Sequence, residues 1–449
     1  MNKLLYNALI FNRGKRFNGF VEIENEVIKN VAEGRPSDAL LQKYSDKAIN
    51  LNNNWLIPGV IDSHVHFREP GLTNKADIYS ESRAAIAGGV TSFLEMPNTK
   101  PQTLTMKDIE AKCKIASEKS LANYAFFIGA SSDNIDELRS ADYSRIPGIK
   151  LFLGSSTGNM SVTNEKVLDE IFSLPCLIAV HCEDEEVIKN NVEEVKQLYG
   201  KYPIPIAWHP VVRSEIACYR STLSAIKRAH SHNTRLHICH VSTEEELKLA
   251  EGRSNISIEA CIPHLWFSDE DYDTKGSFIK CNPSVKSARH RKALRKALNT
   301  GAIDIISTDH APHTFEEKEG DLLGAPSGFP SIQFSLRAML KLAGEGILTV
   351  ERVVELMCHN PANLFGIEKR GYIDKGFYAD LVEIDPLGNP RPIEMSDVVS
   401  KCGWTPFVEE TLPAKIERVW VNGHLSYSEG RFQEGSSSKP LRFNNKGFD

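Results

Sequence analysis

The feature that most constrains this chain is a succession of eight short apolar segments, each followed by a longer, polar stretch rich in helix formers. The segments are WLIPGVIDSHVHF (55–67), VTSFLEMPN (90–98), ANYAFFIGAS (122–131), GIKLFLG (148–154), CLIAVHC (176–182), RLHICHVS (235–242), ISIEACIP (256–263) and AIDIISTDH (302–310). Runs that are apolar throughout, with little alternation, suit strands covered on both faces, and regular alternation with helices calls for a parallel sheet. Eight such units between residues 55 and 366 fit a closed (β/α)8 barrel better than an open doubly wound sheet, because the count matches. The expected fold class is α/β.

The flanks read differently. LLYNALIF, GFVEIE and VIKNVAE near the amino terminus are short β-rich pieces separated by Asn and Gly turn signals. After the barrel, GYIDKGFYADLVEID (371–385) and KIERVWVNGHLSYSEGRF (415–432) return to period-two alternation. Residues 1–54 and 367–449 are therefore expected to meet in one small β-sandwich domain beside the barrel of residues 55–366. The polar tail SSSKPLRFNNKGFD (436–449) is expected to fray.

Composition narrows the function. In 449 residues, 59 acids face 53 bases for a net charge of -6, with no long block of like charge, which argues against a nucleic-acid partner. No apolar run approaches the roughly 18–20 residues needed to span a bilayer, and Asn7 interrupts the only stretch that could pass for a signal peptide. The nine cysteines include no C-x-x-C pair, so reduced thiols and a soluble, cytoplasmic protein are expected.

Metal-binding and titratable groups gather where the strands end, the place where barrels of this kind carry their active sites. The first strand closes with Asp62, His64, His66 and Arg68, which alternation sends to one side. His181 closes the fifth strand, His240 the sixth, and Asp309, followed by His310 and His313, the eighth. Imidazole nitrogen and carboxylate oxygen suit Zn2+ or a similar ion, and four histidines with one aspartate exceed what a single open catalytic site uses. Two metals are the natural inference. Two cations in one site need an anionic bridge, and Lys150 supplies one if its amine has reacted with CO2 to give a carbamate; the alternative is a lysine that snorkels or pairs with an acid. Alternation sets Cys239 on the side opposite His240, with His237 beside it and away from the site. Glu259 on the next strand and His264 after it carry no role that position alone assigns.

These strings resemble the amidohydrolase superfamily and, within it, the dihydroorotases. The likeness covers nearly the whole chain and rests on PGVIDSHVHFREPG (58–71), AGGVTSFLEMPNTKP (87–101), GIKLFLG (148–154), VHCED (180–184), HICHVST (237–243) and STDHAPH (307–313). SGFP (327–330), HNPANLFGI (359–367) and GYIDKGFYADLV (371–382) extend it. The resemblance implies that His64, His66, Asp309 and carboxylated Lys150 hold one zinc, that Lys150, His181 and His240 hold the other, and that a bridging hydroxide attacks. It implies Arg68, Asn98 and His313 as ligands of a substrate carboxylate, with Asn282 in CNPSV beside the ring. This chain departs there, carrying Ser284, Val285 and Lys286 where the family often has N-P-P-L-R.

The implied reaction is the reversible cyclisation of N-carbamoyl-L-aspartate to L-dihydroorotate in de novo pyrimidine biosynthesis, with Asp309 moving the proton. Homodimerisation or a complex with aspartate carbamoyltransferase stays open. The competing readings are a hydantoinase (dihydropyrimidinase) or allantoinase, which resemble the same core but generally lack the arginine two residues after H-x-H, and a non-catalytic partner protein, which would usually lose metal ligands. Segments 265–285 and 311–330 are candidates for lids.

Overall fold

The computed structural model describes residues 2–154, 160–388, 390–435 and 437–444. The chain opens as an antiparallel meander of β1 (Asn2–Asn12), β2 (Lys15–Glu24) and β3 (Val27–Glu33). The β1–β2 turn is Arg13-Gly14, both at positive φ, the geometry that matches the twist of a two-residue hairpin. Two further strands, β4 (Ala48–Asn50) and β5 (Trp55–Pro58), pair parallel to β1. The apolar run WLIPGVIDSHVHF is thus two strands: β5 belongs to this terminal sheet, and only β6 (Val60–Val65) belongs to the barrel. Gly59 is the seam, because a Cβ there would lie 2.0 Å from Thr91 Oγ1.

The remaining staves are β7 (Val90–Glu95), β8 (Asn123–Phe126) continued after one residue as β9 (Ile128–Gly129), β10 (Ile149–Phe152), β11 (Leu177–His181), β12 (Arg235–Ile238), β13 (Ile256–Cys261) and β14 (Ile305–Ser307). All neighbours are parallel, β6-β7-β8 in one ladder and β9 to β14 in the other. The barrel closes where His66 N donates to His310 O at 2.8 Å, beside a parallel bridge between Val65 and His310. Helices cover the outside, and their starts are fixed locally: Asp77 with Ser80, and Thr105 with Asp108, form capping boxes at Ile78–Ala87 and Met106–Lys119.

Inside, Ile61, Leu94, Phe127, Ala179 and Ile305 pack with Phe365, Leu441 and Phe443. The last two overturn the expectation of a frayed tail for the described residues 437–444. Leu441 is 2% and Phe443 3% exposed, Leu441 N donates to Tyr124 O at 2.9 Å, and Phe443 N to Ser144 O at 3.1 Å. Two apolar side chains in a polar tail are enough to plug the amino-terminal end of the barrel. Strands β15 (Leu381–Asp385), β16 (Lys415–Val421), β17 (His424–Ser428) and β18 (Arg431–Phe432) complete a nine-stranded sheet, ordered β18-β17-β16-β15-β5-β1-β2-β3 with β4 on β1. Leu5, Val21, Leu56, Leu381 and Trp420 share its core, so both termini build one β-rich unit. All nine cysteines are free thiols, and among the described residues no helix is long and apolar enough to cross a membrane.

Candidate active site

At the carboxyl ends of the strands, three donor atoms converge. His64 Nδ1 lies 2.8 Å from Glu259 Oε1 and His66 Nδ1 lies 2.8 Å from Asn98 Oδ1. Each acceptor holds Nδ1 as N–H and so directs Nε2 towards Asp309. Those Nε2 atoms stand 3.4 Å and 3.1 Å from Asp309 Oδ1. The three residues offer ligand atoms within 4.8 Å of one another. Asp309 reaches them because its φ of 50° turns the chain just after β14.

A second group sits beside the first. His181 Nδ1 faces His240 Nε2 at 2.9 Å, and the His64 and His240 rings are 5.3 Å apart between centroids. Glu183 Oε2, 3.0 Å from His181 Nε2, fixes that ring as Glu259 fixes His64, and Arg213 forms an ion pair with the same carboxylate. Lys150 is fully buried in the cavity wall. Its Nζ is 3.0 Å from Cys239 Sγ and 5.2 Å from the Phe152 ring, and among the described residues no carboxylate lies within 4 Å of it. Both groups line one cavity of about 410 Å3, together with Arg68, Asn98, Asn282 and His313.

The charges are poised for a cation. Burial lowers His66 to about 4 and drives His240 well below the ordinary imidazole value, helped there by the charges of His181, His64 and Lys150; His181 is lowered too. Among these rings His64 alone is raised, to about 10, because burial and Lys150, which lower it, are outweighed by Glu259 and Asp309; a cation binding there displaces the Nε2 proton. Burial pushes Asp309 up, yet His64, His66 and Lys150 leave it below the usual carboxylate range. Glu183 is likewise lifted by burial and brought down to about 2 by Arg213, His181 and Lys286. His240 Nδ1 is buried without a hydrogen-bond partner among the described residues. Imidazoles that face one another and a carboxylate, three of them with one nitrogen pinned by an acid or amide, could hold a divalent metal.

Substrate-side residues are held as firmly. Arg68 donates through Nε to Pro312 O at 2.9 Å, and its Nη2 is 3.1 Å from His313 Nε2. It pairs with neither adjacent acid, because Glu69 is taken by Lys119 at 2.6 Å and Asp77 by Lys401 at 2.9 Å. Asn98 lines the cavity while its Oδ1 holds His66, and Asn282 Oδ1 accepts from Ser327 Oγ at 2.9 Å. The departing residues Ser284 and Lys286 both donate to Arg213 O, at 2.9 and 2.8 Å, so they brace the segment that carries a cavity-lining arginine.

Alternation misleads at three positions. Asp62 does not line the cavity; a register shift between Asp62 and Val65 separates it from His64, and its carboxylate accepts from Thr308 Oγ1 at 2.6 Å. Cys239 and His237 do share a face, but it is the inner one: Cys239 contacts Lys150, and His237 Nε2 is 3.6 Å from Glu259 Oε2. β12 ends at Ile238, and His240 comes in alongside them through a positive φ of 38°. His264 is buried against Pro283 O at 2.9 Å, and His310 is bound by Glu81 at 2.7 Å, away from the cavity. Glu183, Arg213 and Lys75 escaped the sequence reading, and Glu259 was noted there without a role. A carboxylate inside the apolar run ISIEACIP was the one available signal, since a buried acid needs a partner.

Residues 55–425 match the amidohydrolase family, and the chain belongs to it. Within that family its relatives are dihydroorotases. It is 34% identical over 420 residues to the dihydroorotase of Methanosarcina acetivorans, covering 88% of each chain, and 35% identical over 387 residues to that of Halobacterium salinarum, covering 84% of this chain and 89% of the other. The solved L-hydantoinase (dihydropyrimidinase) of Arthrobacter aurescens superimposes with a TM-score of 0.92 over 99% of this chain and all of its own, at 24% identity, a likeness of fold.

Proposed function

We propose that this protein is a dihydroorotase that interconverts N-carbamoyl-L-aspartate and L-dihydroorotate. One observation carries the choice among cyclic amidases: the Arg68 guanidinium is buried at the cavity with no carboxylate within 4 Å among the described residues. A buried, unpaired cation is costly, and a substrate carboxylate is the partner that relieves it with paired hydrogen bonds. Asn98 and His313 stand beside it as further donors, and Asn282 faces the ring. Dihydrouracil and hydantoin carry no carboxylate for Arg68 to meet.

His64, His66 and Asp309 would hold one zinc ion and His181 and His240 a second, with Lys150, as a carbamate, a further ligand. Bound there, the metal would lower the pKa of a water towards 7 and polarise the ring carbonyl. The rest falls to the protein. The Lys150 amine reacts as the free base: an ammonium there first gives up one proton, the neutral amine adds to CO2, and loss of a second proton leaves a carbamate whose negative charge would offset that of bound cations. Asp309, kept ionised by its histidines, accepts a proton in hydrolysis and returns it to the departing ring nitrogen; in cyclisation it takes the ureido proton. Glu259, Asn98 and Glu183 keep the imidazoles oriented throughout.

The test compares hydrolysis of L-dihydroorotate and dihydrouracil by the zinc-loaded protein. Dihydroorotate is expected to be turned over with a kcat/KM at least about 100-fold higher; faster dihydrouracil turnover would overturn the assignment. A carbamate carbon detected by NMR after growth with labelled CO2, and absent from Lys150→Ala, is the result expected of the lysine.

A further inference from the structure

Lys75 belongs to none of the roles above, yet its ammonium reaches the cavity. Nζ lies 3.0 Å from His313 Nδ1 and 3.0 Å from Glu317 Oε1, with the side chain 16% exposed. An ammonium has three donors and no acceptor, so His313 Nδ1 can only accept from it. The ring proton of a neutral imidazole is then on Nε2, where it meets the Ser327 carbonyl oxygen at 3.0 Å. The opposite tautomer would turn Nδ1–H against the ammonium and leave the Ser327 carbonyl without this donor, in exchange for one hydrogen bond from Arg68 Nη2. One arrangement satisfies two contacts and the other a single one.

This settles how Arg68 and His313 relate. At 3.1 Å, Arg68 Nη2 and His313 Nε2 are both donors, so neither serves the other and both are directed at a shared acceptor. Burial, with the charges of Arg68, Lys75 and Lys318, keeps His313 far below its ordinary value, hence neutral. The Lys75 charge is itself balanced by Glu317, so its effect passes through His313 and adds little net attraction.

We infer that Lys75 is a positioning residue that holds His313 in the Nε2–H form, so that Arg68 and His313 donate together to one carboxylate of the substrate. The inference deepens the dihydroorotase reading and rests on it. When substrate binds, its carboxylate takes the His313 proton donor from the Ser327 carbonyl without any change of tautomer.

The experiment records 15N-histidine spectra of the full-length protein, with His313 assigned by difference from His313→Asn, alongside the kinetics of Lys75→Met and Lys75→Arg. In the unsubstituted protein, Nδ1 is expected to resonate as an unprotonated nitrogen and Nε2 as a protonated one. Lys75→Met is expected to mix or reverse the tautomers and to raise KM for dihydroorotate about tenfold with a smaller change in kcat, while Lys75→Arg restores the tautomer. A proton on Nδ1 in the unsubstituted protein overturns the inference, and so does Lys75→Met with an unchanged His313 spectrum and KM. The first of these needs no variant, so a Lys75→Met protein that fails to fold does not shield the idea. If the protein does not turn over dihydroorotate, the functional reading falls, whereas the tautomer is read without any turnover.

Discussion

Asp309 is asked to do two things, and they separate experimentally. Its Oδ1 faces the Nε2 atoms of His64 and His66, and although burial pushes its carboxyl up, those groups and Lys150 bring it below the usual range and keep it ionised. Asp309→Asn preserves the shape and removes the base, so kcat is expected to fall about 10^3-fold in either direction of the reaction; near-native turnover would exclude the proton-transfer role. Glu259 works differently, since it does not line the cavity. Glu259→Gln can still accept from His64 Nδ1 through its amide oxygen but loses the charge that raises that ring's basicity. Metal affinity is expected to drop about 10- to 100-fold, measured by competition with a chelator, with activity recovered at high zinc. The contrast also marks the limit of sequence reading at this scale. His64, His66 and Asp309 announce themselves because they sit at strand ends within recognisable strings. Glu259 and Lys75 act on residues 195 and 238 positions away, a proximity set only by closure of the barrel.

Among elements, the two segments taken as candidate lids are stitched to each other. Lys318 is fully buried and donates to Lys280 O at 3.2 Å, Pro326 O at 2.9 Å and Gly328 O at 2.9 Å, while Lys280 Nζ returns across the same gap to Leu322 O at 2.6 Å and to Ala325 O. Two ammonium groups spent on backbone carbonyls make a wall behind His313. Lys318→Met would orphan the Pro326 and Gly328 carbonyls at about 1–3 kcal/mol each, while Lys280 O keeps the Gly328 amide; relief of a buried charge offsets part of this, for a net loss of about 2 kcal/mol. The Gly328 amide, bonded to Lys280 O at 2.8 Å, should exchange with deuterium markedly faster in that variant. Unchanged exchange would mean that the wall stands without the lysine. Their length made these segments candidate lids in the sequence. What holds them is lysine-to-carbonyl bonding, which leaves no pattern in composition.

For the whole molecule, the eight-fold repeat of strand and helix was legible because burial on both faces writes itself into the sequence as continuous apolar runs. The bottom of the barrel was not legible, because what closes it arrives from the far end of the chain. Leu441 and Phe443 pack among Phe127, Phe365 and Ile367, and residues 439 to 444 exchange backbone hydrogen bonds with Tyr124, Ser144, Gly366 and Glu368. Two fully buried side chains at roughly 1.5–3 kcal/mol each give about 4 kcal/mol, before counting the apolar surface that their removal uncovers. Deleting residues 437–449 is therefore expected to lower the stability to urea by about that amount and to create binding of a hydrophobic dye. The candidate metal donors stand at the opposite ends of the strands, so kcat/KM of the folded fraction should stay within about twofold of the full chain. A large loss of kcat/KM without a loss of stability would mean that the tail serves the active site rather than the barrel floor.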